Sequence, residues 1–427
     1  MTWKALLRRG TLGALPLLLA VLCSGSPWST EVTREMQPSP PQAPSASVAW
    51  QVLFYADADF VDGYDPLELV AAEASGDPRV GVLILEDPFG DVARVWRPDA
   101  ANGGVRLRCV EMPGEPNMGS PETLGEFARF ADVWYPADRR MLMIYGHGHA
   151  WRGACYDDND AVSPAGAEWC ERDWLSPVEM QQALANGRPF DAVLFTAPCL
   201  MASLEAAYQL RHVVRLYVAS QEHSGYMAWI GSVEPILGTL AQRPYIPVAE
   251  LGVHVIDTLR VRYRPETYPP AIRSELPAKV MSAVDTARLD GVAGALDAFS
   301  LALLDVLPVH RSAIAAARHA AQSFGYNELI DIADFASNCA SIHAMRPFCE
   351  RLQTAVDGAV LALITDAAHP GARGLTLYFP APDVTRPAAL ACVSFEISGP
   401  AYRSLGLSLL ADTHWDEFLS AFFNGQD

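Results

Sequence analysis

The chain has 427 residues, half of them hydrophobic, and a formal net charge of −19. That length and apolar content support one large domain or two smaller ones. The acidic balance and the lack of a basic stripe argue against a nucleic-acid partner.

The first 25 residues read as a secretory signal. Lys4, Arg8 and Arg9 precede an apolar run from Leu12 to Leu22 that is short for a bilayer span. Export to the periplasm, cell surface or medium follows, and Cys23 offers a lesser lipoprotein alternative. Residues 26–47 contain a Pro/Ser-rich tether. No later stretch reads as a transmembrane segment, and a monomer is expected.

The folded part begins near Val48. Ala49 to Tyr55 reads as a strand, Leu67 to Ala74 as a helix and Val80 to Leu85 as a buried strand. Val92–Trp96 and Val105–Val110 read as a β pair around Asn102-Gly103-Gly104. A helix runs from Ser120 to Trp134, and Met141 to Tyr145 is another buried strand. A loop spans Gly148 to about Asp173. Ser176-Pro177-Val178-Glu179 carries the marks of a capped helix start. Val193 to Phe195 is a strand leading to Cys199, a helical pattern covers Ala202 to Leu210, and Leu216 to Ala219 is a strand. The alternation implies a mainly parallel sheet sandwiched by helices, one domain over 48–230. Residues 231–427 read as a helix-rich part. It has helical patterns at Val248–Val261, Leu289–Leu307, Val309–Ser323, Ala344–Thr365 and Trp415–Phe423, and one late strand at 374–380.

Two strand ends carry the chemistry. His147 and Cys199 follow successive buried strands, and open α/β sheets place ligands at that edge. Their interval, about 50 residues, matches the one kept by a caspase-type histidine and cysteine. The imidazole would take the thiol proton and the thiolate would attack a carbonyl. The backbone N–H groups of Gly148 and Cys199 would form an oxyanion hole. A thiol near a helix start is also placed where the thiolate is favoured. Against this stands a plain packing role for both residues. Ser220, Gln221 and Glu222 end the next strand and are candidate substrate-binding residues, with Tyr226 and Trp229 as candidate walls.

Other clusters compete. His147, His149, Cys155 and Cys170 are all zinc-ligand types, although their spacing fits no common zinc pattern. Asp57, Asp59, Asp62 and Asp65 miss the EF-hand spacing, and they read, like Asp157, Asp158 and Asp160, as a solvated acidic turn. Seven cysteines follow the signal. The local pairs Cys155/Cys170 and Cys339/Cys349 are candidate disulfides, and an odd count leaves one thiol free.

These residues resemble the clostripain family of cysteine peptidases, in the caspase-like clan. The resemblance spans nearly all of the chain after the tether. It runs through Asn117 to Leu124, Tyr135-Pro136-Ala137-Asp138, His147-Gly148 with Trp151, and Asp173 to Leu184. It continues through Cys199-Leu200-Met201 with Glu205 and Tyr208, and through Val218 to Glu222. Late in the chain it is carried by Ser282 to Asp285, Gly374 to Pro380, and Trp415 with Phe418-Leu419. It implies a caspase-like fold, a His/Cys dyad without a third member, and a peptide or protein substrate cut after arginine or lysine. No cofactor is required, though calcium supports some members, and some mature by cleavage in the loop after the histidine. Three departures stand out. Gly146 and Ala150 flank His147 where the family has Asp and Gly, and Asp59 is followed by Phe60 rather than Asn. Most telling, Ala197 replaces the aspartate that faces a basic side chain in the substrate-binding pocket. An apolar floor leaves a guanidinium unpaired, so cleavage after arginine should be weak or lost unless Glu222 or a loop aspartate supplies the charge. The leading expectation is a secreted cysteine endopeptidase. The alternatives are a catalytically silent binding or surface protein on the same scaffold and, third, a zinc-dependent hydrolase.

Overall fold

The computed structural model describes residues 31–38, 48–58, 67–74, 77–101, 104–157, 172–224, 229, 231–262, 280–325, 327–381 and 400–424. The signal, most of the tether, Asp59 to Asp65, Asp158, Asp160, Cys170, Tyr226 and Cys392 lie outside them.

A ten-stranded sheet organises the chain. Its strands are β1 (Glu31–Glu35), β2 (Val48–Ala58), β3 (Val80–Pro88), β4 (Ala93–Ala101), β5 (Gly104–Gly114), β6 (Ala137–Tyr145), β9 (Phe190–Phe195), β10 (Val214–Ser220), β11 (Met281–Asp285) and β14 (Val360–Ile364), in spatial order β1-β5-β4-β3-β2-β6-β9-β10-β11-β14. The central run β3-β2-β6-β9-β10 is parallel, β4 and β11 run against it, and β14, antiparallel to β11, runs with it again. The central strands are apolar on both faces because helices cover both. One layer includes α1 (Leu67–Ala74), α5 (Val233–Gln242) and α6 (Val248–Arg262), which close over Trp50, Phe54, Ile84 and Leu194. The other includes α2 (Pro121–Trp134), α3 (Pro177–Ala185), α4 (Leu204–Gln209) and α7 (Leu289–Ala320), over Leu53, Leu142, Val193 and Phe195.

The helix starts follow their sequence signals. Ser120 accepts the Glu122 N–H ahead of Pro121, and Ser176 and Glu179 form a full capping box ahead of Pro177.

Several expectations are corrected. The helical patterns at 289–307 and 309–323 run end to end as α7, two helical stretches joined across a kink, and the second stops at Ala320 rather than 323. Pro308 removes one N–H and crowds the preceding turn, and His310 leaves helical geometry. By length and composition α7 could cross a membrane, but half of its apolar window is buried in the protein, against α8 (Ile332–Cys339), α9 (Arg346–Ala359) and α12 (Trp415–Asn424). The helix expected over 344–365 stops at Ala359. Val360-Leu-Ala-Leu-Ile364 becomes β14, because a short apolar run takes whichever periodicity its neighbours satisfy, and β11 offers an open ladder. Within the expected tether, Glu31–Glu35 pairs with β5 as the far edge strand. Beyond residue 230 the chain adds β11 and β14 to the same sheet. It also forms a small sheet of β12 (Ser323–Phe324), β13 (Leu329–Asp331) and β15 (Thr376–Tyr378).

The disulfides are corrected as well. Cys109, Cys155, Cys199, Cys339 and Cys349 are free thiols. Cys155 is buried, with its thiol on the Tyr145 carbonyl at 3.5 Å. Cys339 and Cys349, on α8 and α9, are buried in the same apolar core and behave as small hydrophobes there. Elimination by pairing therefore no longer singles out Cys199.

Candidate active site

β6 and β9 are adjacent parallel strands, in register from Met141↔Ala192 to Ile144↔Phe195, and Thr196 extends the ladder by donating its N–H to the Ile144 carbonyl at 2.8 Å. Both strands then end at one edge. There the His147-Gly148 segment meets the Pro198-Cys199 segment. A Cβ built on Gly148 would lie 2.6 Å from Pro198 Cβ, 2.7 Å from the Cys199 carbonyl oxygen and 2.8 Å from the Cys199 nitrogen. Only glycine permits that approach. The two backbones expected to form an oxyanion hole are thus in direct contact.

His147 sits on a small hairpin. Its carbonyl accepts the Cys155 N–H at 2.9 Å, His149 N–H donates to Gly153, and Gly148 bridges Ala154. The hairpin brings Tyr156, at the end of β7 (Ala154–Tyr156), beneath the imidazole. The rings are stacked at 5.0 Å between centroids and 17° between planes. Sequence reading missed Tyr156, because alternation from His147 does not place it there. Cys155, in the left-handed region at φ 56°, turns the chain.

Cys199 is half-buried. Its sulfur accepts the Ser224 N–H at 3.2 Å and donates to the Ser224 carbonyl at 3.4 Å. Burial pushes the thiol up to about 11; the Ser224 N–H opposes this and the Glu222 carboxylate adds to it. The expected help from a helix start is absent. α4 begins only at Leu204, capped by the Ser203 hydroxyl on the Ala206 N–H. The intervening turn carries Leu200 at φ 64° and returns the chain to β10's end, with Leu200 N–H on the Glu222 carbonyl and Ala202 N–H on Ser220.

The other candidates separate. Ser220 and Gln221 are fully buried. The Ser220 hydroxyl bonds the Glu222 and Val280 carbonyls, and the Gln221 amide joins Asp331 to the Gly374 N–H. They are structural supports, because strand β13 and the loop before β15 close over the end of β10. Glu222 stays close to Cys199, but its carboxylate is committed. It accepts from His223 Nδ1 at 2.5 Å and from the Gly325 N–H at 3.3 Å, and faces His369 Nε2 at 3.6 Å. Burial works against its charge, yet His223 and His369 together hold the carboxyl below its usual range. Gly325 packs near Leu200, whereas Ala197 belongs to the opposite core layer with Trp229, Tyr145 and Leu194. Glu222 is therefore held by His223, His369 and Gly325 on the Leu200 side.

Of the rival clusters, His147, His149, Cys155, Asp57 and Asp157 lie among the described residues. His149 is buried 3.9 Å from Glu328. Burial first, and Arg152 second, lower it to about 3, so it is neutral at ordinary pH. With Cys155 on Tyr145, no three potential ligands gather around a metal position among the described residues. Asp57 and Asp157, expected in solvated turns, are buried and accept the Tyr156 and Met118 N–H groups.

A family model for the clostripain family matches residues 68–357. The chain belongs to the clostripain family, a family of cysteine-type endopeptidases. Clostripain from Hathewaya histolytica is 32% identical over 106 residues, which is 23% of this chain and 19% of that protein. The chain's match thus spans about a fifth of that relative's length. The fold is shared with a secreted C11 cysteine protease from Bacteroides thetaiotaomicron in complex with an irreversible peptide inhibitor. That match has a TM-score of 0.61 and 16% identity, and covers 86% of this chain and 99% of the other. It is shared also with an inactive zymogen C11 protease from Parabacteroides distasonis, with a TM-score of 0.59, 17% identity, and coverage of 88% and 99%.

Proposed function

We propose that the chain is an exported, monomeric cysteine endopeptidase in which Cys199 is the nucleophile and His147 the general base and acid. The observation that carries this reading is the contact of Gly148 with the backbone of Cys199, which ties the histidine strand end to the cysteine strand end. His147 takes the thiol proton as sulfur attacks the peptide carbonyl, and the N–H groups of Gly148 and Cys199 receive the developing oxyanion. His147 then returns the proton to the leaving amine, and water hydrolyses the thioester. None of these steps needs a metal or cofactor. Ala197, in an apolar layer with Trp229, favours an uncharged side chain before the scissile bond over arginine.

Cys199→Ala should abolish hydrolysis of a peptide library while the circular dichroism spectrum is kept; retained turnover would sink the assignment. The library profile of the active protein reads the preference, and a dominant arginine signal would overturn the Ala197 argument. A silent scaffold has one observation in its favour, the Ser224 backbone on a protonated thiol. Covalent labelling of Cys199 by a peptidyl acyloxymethyl ketone, lost in His147→Ala, excludes it.

A further inference from the structure

We infer that Tyr156 is a positioning residue for His147, fixing the plane of the imidazole and favouring its protonated form. This rests on the dyad reading above and adds a third participant that acts through the base.

The argument is geometric. The two rings lie 17° from parallel at 5.0 Å, so the tyrosine face covers one face of the imidazole. An aromatic face carries negative potential and stabilises a cation lying within about 6 Å. Tyr156 is itself held. Its N–H donates to Asp57 Oδ2 at 3.1 Å, and its ring packs on Trp174 of β8 (Trp174–Leu175) at 4.9 Å. The β7–β8 pairing shifts register between Ala154 and Tyr156, where Cys155 takes positive φ. A non-glycine residue in that conformation is disfavoured and persists only where its surroundings enforce it. Here the result of the strain is to deliver the Tyr156 ring to His147. A base that must collect a proton from sulfur and then pass it to an amine gains from both effects, a fixed ring plane and a stabilised charged form. The ionisable groups beside the hairpin include Arg152 on its own turn; Tyr55, beside Cys155, Asp57 and Asp157; Asp57, whose carboxylate lies against Gly146; Asp157 on the Met118 N–H; buried Cys155; buried His149; and Cys199 beyond Gly148 with Glu222 behind it. Within each comparison below these groups are the same in every protein, Cys199 being replaced throughout the titration series and intact throughout the kinetic one.

The test compares Tyr156→Leu, Tyr156→Phe and pentafluorophenylalanine at position 156, each checked by thermal unfolding. The His147 imidazole titration is followed by NMR in a Cys199→Ala background. Turnover is measured with intact Cys199, on a fluorogenic peptide chosen from the library profile. Tyr156→Leu should lower the titration midpoint by about half a pH unit and reduce kcat at least about tenfold, with KM little changed. Tyr156→Phe should restore both. The fluorinated ring, which keeps the shape and reverses the quadrupole, should lower the midpoint as well, and it serves if the leucine variant does not fold. Unchanged midpoints and kcat in folded leucine or fluorinated variants overturn the inference. If His147→Ala keeps full turnover, the dyad reading itself fails. If His147→Ala is inactive while these variants behave as wild type, only the role of Tyr156 is lost.

Discussion

Gly148→Ala is the sharpest perturbation of the proposed site, because it adds one methyl group at the join between its two halves. The new Cβ would meet Pro198 Cβ at 2.6 Å and the Cys199 carbonyl oxygen and nitrogen at 2.7 and 2.8 Å. Ordinary carbon contacts begin near 3.4 Å, so the two segments must part by about 0.8 Å. They cannot part freely, since both leave paired strands of the central sheet. Overpacking of this kind costs about 1–3 kcal/mol of stability, a fall of a few degrees in Tm for a chain of this size. The effect on turnover should be larger. A misplacement approaching 1 Å costs on the order of 100-fold in rate, and here it separates the oxyanion donors from each other as well as the base from the thiol. The assay is kcat and KM on a peptide substrate alongside thermal unfolding. Unchanged kcat with unchanged Tm would refute the contact, and with it the oxyanion geometry.

Other outcomes follow from the titrating and sulfur groups. With its thiol pushed up to about 11, Cys199 should react slowly with iodoacetamide at pH 7, its rate rising about tenfold per pH unit until near pH 10; a flat profile from pH 6 to 9 would reveal a resting thiolate instead. His149 is lowered to about 3 when folded and regains its ordinary value near 6.5 on unfolding. The unfolded state then binds the extra proton between those values, so stability should fall as pH drops from about 6.5 towards 3. His149→Gln should flatten that part of a Tm-against-pH curve, and an unchanged slope would show that the acid sensitivity lies elsewhere. Thiol titration of protein denatured without reductant should count at least five, for Cys109, Cys155, Cys199, Cys339 and Cys349; fewer would restore a disulfide.

The parallel core was legible because its strands are continuous apolar runs and its helices carry strong start signals, Ser120-Pro121 and Ser176-Pro177 among them. The meeting of His147, Gly148 and Cys199 at one edge was legible for a related reason, since strand ends in such a sheet share one edge. What escaped was non-local. Glu31–Glu35 is a strand only because β5 lies open beside it, and Val360–Ile364 only because β11 does. Ser220 and Gln221 looked like pocket residues because nothing in their sequence shows that β13 and Gly374 close over them. Tyr156 was hidden by the left-handed turn at Cys155, and Ser224 by a return of the chain that only the fold reveals.

The ladder around Cys199 also sets a timetable. The segment after Cys199 is finished by residues made much later. Thr376 donates its N–H to Ala202, the Gly374 N–H binds Gln221, and the Tyr378 N–H binds Glu205, 173 positions further on. At about 5–20 residues per second, a ribosome needs roughly 10–35 s to cover that distance. A nascent chain that has exposed Cys199 therefore still lacks the supports for its turn, and chains truncated after Ile364 should take up no peptidyl inhibitor. A fold built this way leaves the Cys199 turn unfinished until the segment around Tyr378 has been made.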